Sequence, residues 1–217
     1  DASVLPADLV PEVIVVAVKP QAMDAVIPGY AHFAGPQTVF LSIAAGKPIG
    51  YFAGKFGPEA AIVRAMPNTP AAIGRGIAVA CANPNVTPAQ RTLGTRLLGA
   101  VGDVAWADDE KLIDPVTAVS GSGPAYVFLL IECLAEAGVA AGLPADLAMS
   151  LARATVSGSG ELARLSSEDA AQLRRNVTSP GGTTEAALKV LMAEDGMAPL
   201  MRRDIAAATA RSRELAD

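Results

Sequence analysis

The chain has 217 residues, and at about 150 residues per domain that length allows one domain or two. Hydrophobic residues make up 51% and charged residues 18%, which excludes a disordered chain. With 17 basic and 22 acidic residues the formal net charge is −5, a balance unsuited to nucleic acid or to an anionic membrane surface.

The first half reads as alternating strand and helix. Residues 13–18 (Val-Ile-Val-Val-Ala-Val) form a short β-branched run that ends at Lys19-Pro20. Runs of this kind are typical of parallel strands covered on both faces. Further strands are predicted at 38–43, 61–66, 77–81 and 102–106, with helices near 21–28, 47–56 and 88–100. Thr87-Pro88 has the form of an N-cap followed by proline at the first helical position. The pattern changes near Asp108. From there on no strand is visible, and helices are predicted from Gly123 to about Ala141, on to about Leu165, over 169–175, and near 183–193 and 197–215. Gly142-Leu143-Pro144 reads as a C-terminal glycine cap followed by a proline start. The fold class is therefore α/β then all-α, divided at 1–107 and 108–217. The apolar character of the later helices on more than one side predicts that a partner chain covers part of it. With aromatics at only 4%, the core is expected to be Ala, Val, Leu and Ile.

Cys81 and Cys133 both sit in apolar runs and are expected as buried, reduced thiols of a cytoplasmic protein. His32 stands alone between Ala31 and Phe33, which excludes a histidine-rich metal site and suits packing or the surface. No metal is expected. Neither a basic-then-apolar leader nor an uninterrupted run of about 18 apolar residues is visible, so no membrane span is expected.

An α/β half followed by helices prompts a search for a dinucleotide-binding glycine turn between a strand and a helix. Gly158-Ser159-Gly160 lies within a helical pattern, and Gly121-Ser122-Gly123 lacks a third glycine at the right offset, so neither qualifies. Four other segments carry candidate chemistry. Ala17-Val18-Lys19-Pro20 ends a strand where a cofactor could lie, or where an ordinary turn would do. Met66-Pro67-Asn68-Thr69-Pro70 holds Asn68 and Thr69 rigidly at a strand's end, as a functional loop or a structural turn. Asn176-Val177-Thr178-Ser179-Pro180-Gly181-Gly182-Thr183-Thr184-Glu185 brings two glycines to a helix start, suited to a carboxylate ligand or to simple capping, by Ser179 before Pro180 or by Gly182 with Glu185 three residues on. Ser120-Gly121-Ser122-Gly123-Pro124-Ala125-Tyr126 suits close packing, with Ser122 also able to line a pocket.

Together with Ala44-Ala45-Gly46, these segments occur in an order that resembles pyrroline-5-carboxylate reductase, from about residue 12 onward. The resemblance implies an incomplete Rossmann-type dinucleotide-binding domain followed by a helical dimerisation domain. It implies hydride transfer from NADPH, or NADH, to the C=N carbon of 1-pyrroline-5-carboxylate, giving L-proline. Ala17, Val18, Lys19, Pro20, Ala45, Asn68 and Asn176 match cofactor positions. Glu110, Ser179, Gly182, Thr183 and Thr184 match substrate positions, with the threonines supplied by the partner chain and Thr184 as the catalytic residue. A homodimer, or a larger homo-oligomer of dimers, in the cytoplasm is implied, with no nucleic-acid or membrane partner. Family members begin with a strand, a glycine-rich turn and a helix that hold the pyrophosphate. The sequence here starts after that unit, so this polypeptide is expected to bind NADPH weakly or not at all and the activity to belong to the complete protein. Two other readings stay open: a β-hydroxyacid-dehydrogenase-like oxidoreductase, which relies on a lysine in the helical half, and a non-catalytic dimeric scaffold.

Overall fold

A computed structural model of the chain describes residues 4–6 and 8–215. The outer limits of the two predicted domains, residues 1 and 217, lie outside the described residues. The chain forms two compact units, one running to Ser122 and including the residues from Ile205 onward, the other spanning Gly123–Asp204.

The first unit is built on a five-stranded sheet in the order β1-β2-β3-β4-β5. The strands are β1 (Val13–Val16), β2 (Val39–Ser42), β3 (Ala61–Met66), β4 (Gly76–Ala82) and β5 (Gly102–Trp106). The predicted strands are all present. The pairing β1–β2–β3 is parallel, as is β4–β5, but β4 runs antiparallel to β3, with Met66 opposite Val79. This corrects the expectation of parallel strands. A parallel crossover needs a dozen or more residues, and the connection 67–75 holds only a proline-stiffened 3₁₀ turn over Thr69–Ile73. Connections 43–60 and 83–101, by contrast, each carry a helix: α2 (Ile49–Phe56) and α3 (Pro88–Leu98). The start of α3 is fixed by a full capping box. Gln90 N–H donates to the Thr87 hydroxyl while the Thr87 N–H donates to the Gln90 side chain.

The predicted helix near 21–28 is reduced to one α-helical turn, α1 (Met23–Val26), between 3₁₀ segments Pro20–Ala22 and Ile27–Phe33. Pro20, Pro28 and Gly29 withhold the donors and the rigidity that a longer α-helix needs. This segment and α2 cover one sheet face, where Met23, Ile27, Phe33, Phe40, Phe52, Phe56 and Ile62 pack together. Four of the chain's five phenylalanines therefore concentrate on one face, with the Phe40 and Phe56 rings stacked at 3.8 Å, and the expectation of a purely aliphatic core is corrected. The opposite face, under α3, is aliphatic: Val39, Leu41, Ala61, Val63, Ala78 and Leu98. His32 is exposed, with its ring 3.9 Å from that of Phe33.

After β5 the chain makes a short helix, α4 (Ile113–Val116), which passes into a π-turn over Thr117–Gly121. The Ser122 N–H donates to the Thr117 carbonyl, and the Thr117 and Ser120 hydroxyls bond back to Ile113 and Val116.

The second unit is helical: α5 (Gly123–Ala140), α6 (Ala145–Leu165), α7 (Ala170–Asn176), α8 (Thr183–Leu191) and the first turns of α9 (Met197–Glu214). Gly142, at φ 102°, turns the chain so that α6 packs back on α5, with Gly138 against Ala148. Much of their apolar surface stays uncovered in the single chain, including Phe128, Leu129, Leu151 and Leu162. Cys133 is exposed there, which corrects the expectation of burial, while Cys81 is buried in β4; both are free thiols. By length and composition the helical stretch Glu110–Ala140 is apolar enough to cross a membrane, a test that core helices of soluble proteins also pass.

The last turns of α9 belong to the first unit. The Ser212 hydroxyl donates to Asp114 Oδ1 at 2.8 Å, and Arg213 lies 3.9 Å from the same carboxylate.

Candidate active site

The predicted site residues fall on both units. In the first, β1 and β2 end at the same sheet edge because they are parallel and in register, Val16 beside Ser42. The segment Ala17–Pro20 follows β1, with Ala17, Lys19 and Pro20 exposed and Val18 half-buried. Ala44 is buried and Ala45 exposed after β2. Gly46 adopts φ 74°, and a Cβ there would stand 3.0 Å from the Leu215 carbonyl oxygen, so the position requires glycine twice over. Ala45 and Gly46 line a cavity of about 250 Å³ whose other walls include Thr117, Ser122, Arg211 and Ser212. Ser122 thus lines a cavity, as one reading of the small-residue segment allowed. A Cβ at the neighbouring Gly121 would clash only with the flexible end of the Met66 side chain.

Asn68 acts on the protein itself. Its side-chain oxygen accepts from the Ile77 N–H at 2.9 Å, bracing the connection 67–75 against β4. Glu110 is held from two directions. Its Oε1 accepts from Arg64 Nη1 and from the Ile49 N–H, each at 2.8 Å. The Arg64 side chain is only 6% exposed and that of Glu110 31%. The residue before α2 is Pro48, which has no side-chain acceptor, so Glu110 supplies the missing cap from 61 residues away and places negative charge at the helix's positive end. Cys81 pairs with Arg64 across β3 and β4; burial, and then the nearby Glu110 charge, push its thiol up to about 11.

In the second unit, Asn176 ends α7 with its side chain tied locally: it donates to Glu168 at 2.8 Å and accepts from Gln172 at 2.7 Å. The loop then turns at Ser179, whose carbonyl accepts from the Gly182 N–H, and at Gly181, which takes φ 71°. Gly182 is the N-cap of α8 and offers no side-chain acceptor; the Glu185 carboxylate instead accepts from the Gly181 N–H at 2.8 Å. The capping foreseen for Gly182 and Glu185 is thus shifted by one residue: Glu185 reaches the Gly181 N–H, and the Gly182 N–H is taken by the Ser179 carbonyl. It leaves Thr183 and Thr184 in the first turn, where backbone N–H groups have no intrahelical partner. Sequence reasoning missed Arg64, since a lone arginine inside a strand run carries no motif. Its only signal was a charge in an otherwise apolar buried pattern. Among the described residues, no three His, Cys, Asp or Glu side chains are grouped to hold a metal ion.

The pyrroline-5-carboxylate reductase dimerisation family matches residues 110–215. The chain is 45% identical over 206 residues to pyrroline-5-carboxylate reductase of Pseudomonas aeruginosa, covering 95% of this chain and 75% of that relative. Among solved structures, a pyrroline-5-carboxylate reductase from Coxiella burnetii superposes with a TM-score of 0.90 at 37% identity, over 95% of this chain and 76% of that one. The Plasmodium falciparum pyrroline carboxylate reductase, solved with NADP bound, gives 0.82 at 33% identity, over 95% and 78%. With this sheet, this helical half and these segments in order, the chain belongs to the pyrroline-5-carboxylate reductase family.

Proposed function

We infer that the chain is the polypeptide of an oxidoreductase that reduces the C=N bond of 1-pyrroline-5-carboxylate to L-proline with a nicotinamide cofactor, NADPH in preference to NADH. The observation that carries this reading, in a member of this family, is the start of α8: a glycine loop delivers Thr183 and Thr184 onto a helix end whose capping needs neither hydroxyl. The N–H groups of Thr183 and Thr184, at the positive end of the helix, receive the substrate carboxylate. The Thr184 hydroxyl donates to the ring nitrogen as that atom gains electron density. Glu110 orients the substrate, while Thr183 and Thr184 are supplied by the partner chain. Ala17–Pro20, Ala45, Asn68 and Asn176 border the cofactor, Asn68 by keeping its loop rigid. When bound, the nicotinamide supplies the hydride; the protein contributes positioning and charge.

The protein acts as a homodimer or as a ring of such dimers in the cytoplasm. The exposed apolar surface of α5 and α6 supports dimerisation, because surface of that kind needs a cover. A β-hydroxyacid-dehydrogenase-like reading finds no support in Lys189, which is 74% exposed beside Glu185. The experiment is a steady-state assay of the full gene product with 1-pyrroline-5-carboxylate, following oxidation of NADPH. Turnover to proline is expected; no turnover by a folded protein overturns the reading.

A further inference from the structure

We propose that Arg64 is a positioning residue for this reaction: its guanidinium holds Oε1 of Glu110 and so leaves Oε2 of the same carboxylate for the substrate. The proposal rests on the reading of Glu110 as a substrate position and deepens it. Arg64 is the fourth of six residues in β3 and is buried on the sheet face that also carries Phe40 and Ile62. A guanidinium is costly to take out of water, and apolar residues in place of the whole Arg64–Glu110 pair would often serve stability as well. What the arginine provides that an apolar residue cannot is a fixed charge-assisted donor. That donor points at a single atom, Glu110 Oε1, at 2.8 Å. The Ile49 N–H reaches the same oxygen at 2.8 Å. Two donors converging on one oxygen remove the rotational freedom that a partly exposed glutamate otherwise keeps. Ile49 opens α2, the helix that follows Ala44-Ala45-Gly46, so one carboxylate oxygen links the sheet interior, the cofactor-side loop and the substrate position. These groups all belong to the first unit.

The test uses the full gene product and begins with the wild type. If it does not reduce 1-pyrroline-5-carboxylate, the functional reading fails, and Arg64 is not the cause. With an active wild type, Arg64→Met is expected to lower kcat/KM for the imine by roughly 10- to 100-fold, chiefly through KM, while KM for NADPH changes by less than about threefold. Arg64→Lys, which keeps a donor and a charge, recovers part of the loss. In a Glu110→Gln background, Arg64→Met costs less than about threefold further, because the group it positions is already altered. The proposal is overturned if the two losses multiply in full, or if melting temperature and both KM values shift together, as for a strand-packing role. If Arg64→Met does not fold, the same cycle run with Arg64→Lys decides by the same criterion.

Discussion

Replacing Thr184 with alanine separates capping from chemistry. In this structure the cap of α8 consists of Gly182 and the Glu185 carboxylate on the Gly181 N–H, and both survive the substitution. Alanine is also the better helix former, by a few tenths of a kcal/mol over threonine, so the melting temperature should hold or rise slightly. The backbone N–H of residue 184 remains, and with it the proposed carboxylate contact. What disappears is one hydroxyl, which donates to a nitrogen gaining electron density. A hydrogen bond of that type contributes about 1.5–3 kcal/mol, or roughly 10- to 150-fold in rate. If the hydroxyl acts in the transition state, kcat and kcat/KM fall together. Thr183→Ala is the control, with the same backbone contact kept and a smaller effect. Steady-state kinetics with NADPH saturating, beside a thermal melt of each variant, make the comparison. Near-wild-type kcat/KM in both variants would refute the reasoning and reduce the threonines to filler at a helix start.

Glu185→Ala removes the acceptor for Gly181 and should cost about 0.5–1.5 kcal/mol of loop order, seen as a severalfold rise in KM for the imine at nearly constant melting temperature. Gly46→Ala forces a side chain into a left-handed backbone and against Leu215; at about 1–2 kcal/mol this lowers the melting temperature by roughly 2–8 °C and weakens NADPH binding by titration. Cys81 should resist thiol reagents at pH 8 in the native protein and react once it is unfolded. Because its folded thiol titrates near 11 against an ordinary 9.0, the unfolded chain loses that proton first, so stability falls as pH rises from 9 toward 11. Denaturant midpoints across that range, with Cys81→Ala flattening the fall, check the sign.

The sheet was legible because its strands are short, β-branched and punctuated by proline or glycine. Residues 61–66 and 102–106 match the observed strands residue for residue. The direction of β4 was not read, although the length of the connection 67–75 holds the answer. The candidate site was legible where it is local, as in the glycine loop before Thr183. It was illegible where it depends on distant partners: nothing near Glu110 in sequence points to Ile49 or Arg64. Asn68 was visible as a residue held rigidly, but its bond to the Ile77 N–H needs β4 to turn back on β3.

The bond between Ser212 and Asp114 closes a loop of 98 residues. For a flexible chain the length-dependent entropy of such a closure is about 4 kcal/mol, more than one hydroxyl–carboxylate bond returns. The contact can form only after other structure has brought its ends together, which makes it a late event in folding. Mutations there should accelerate unfolding and leave the refolding rate nearly unchanged, a low φ-value. The wall that α9 gives to the cavity beside Gly46 would then be the last to be assembled and the first to be lost.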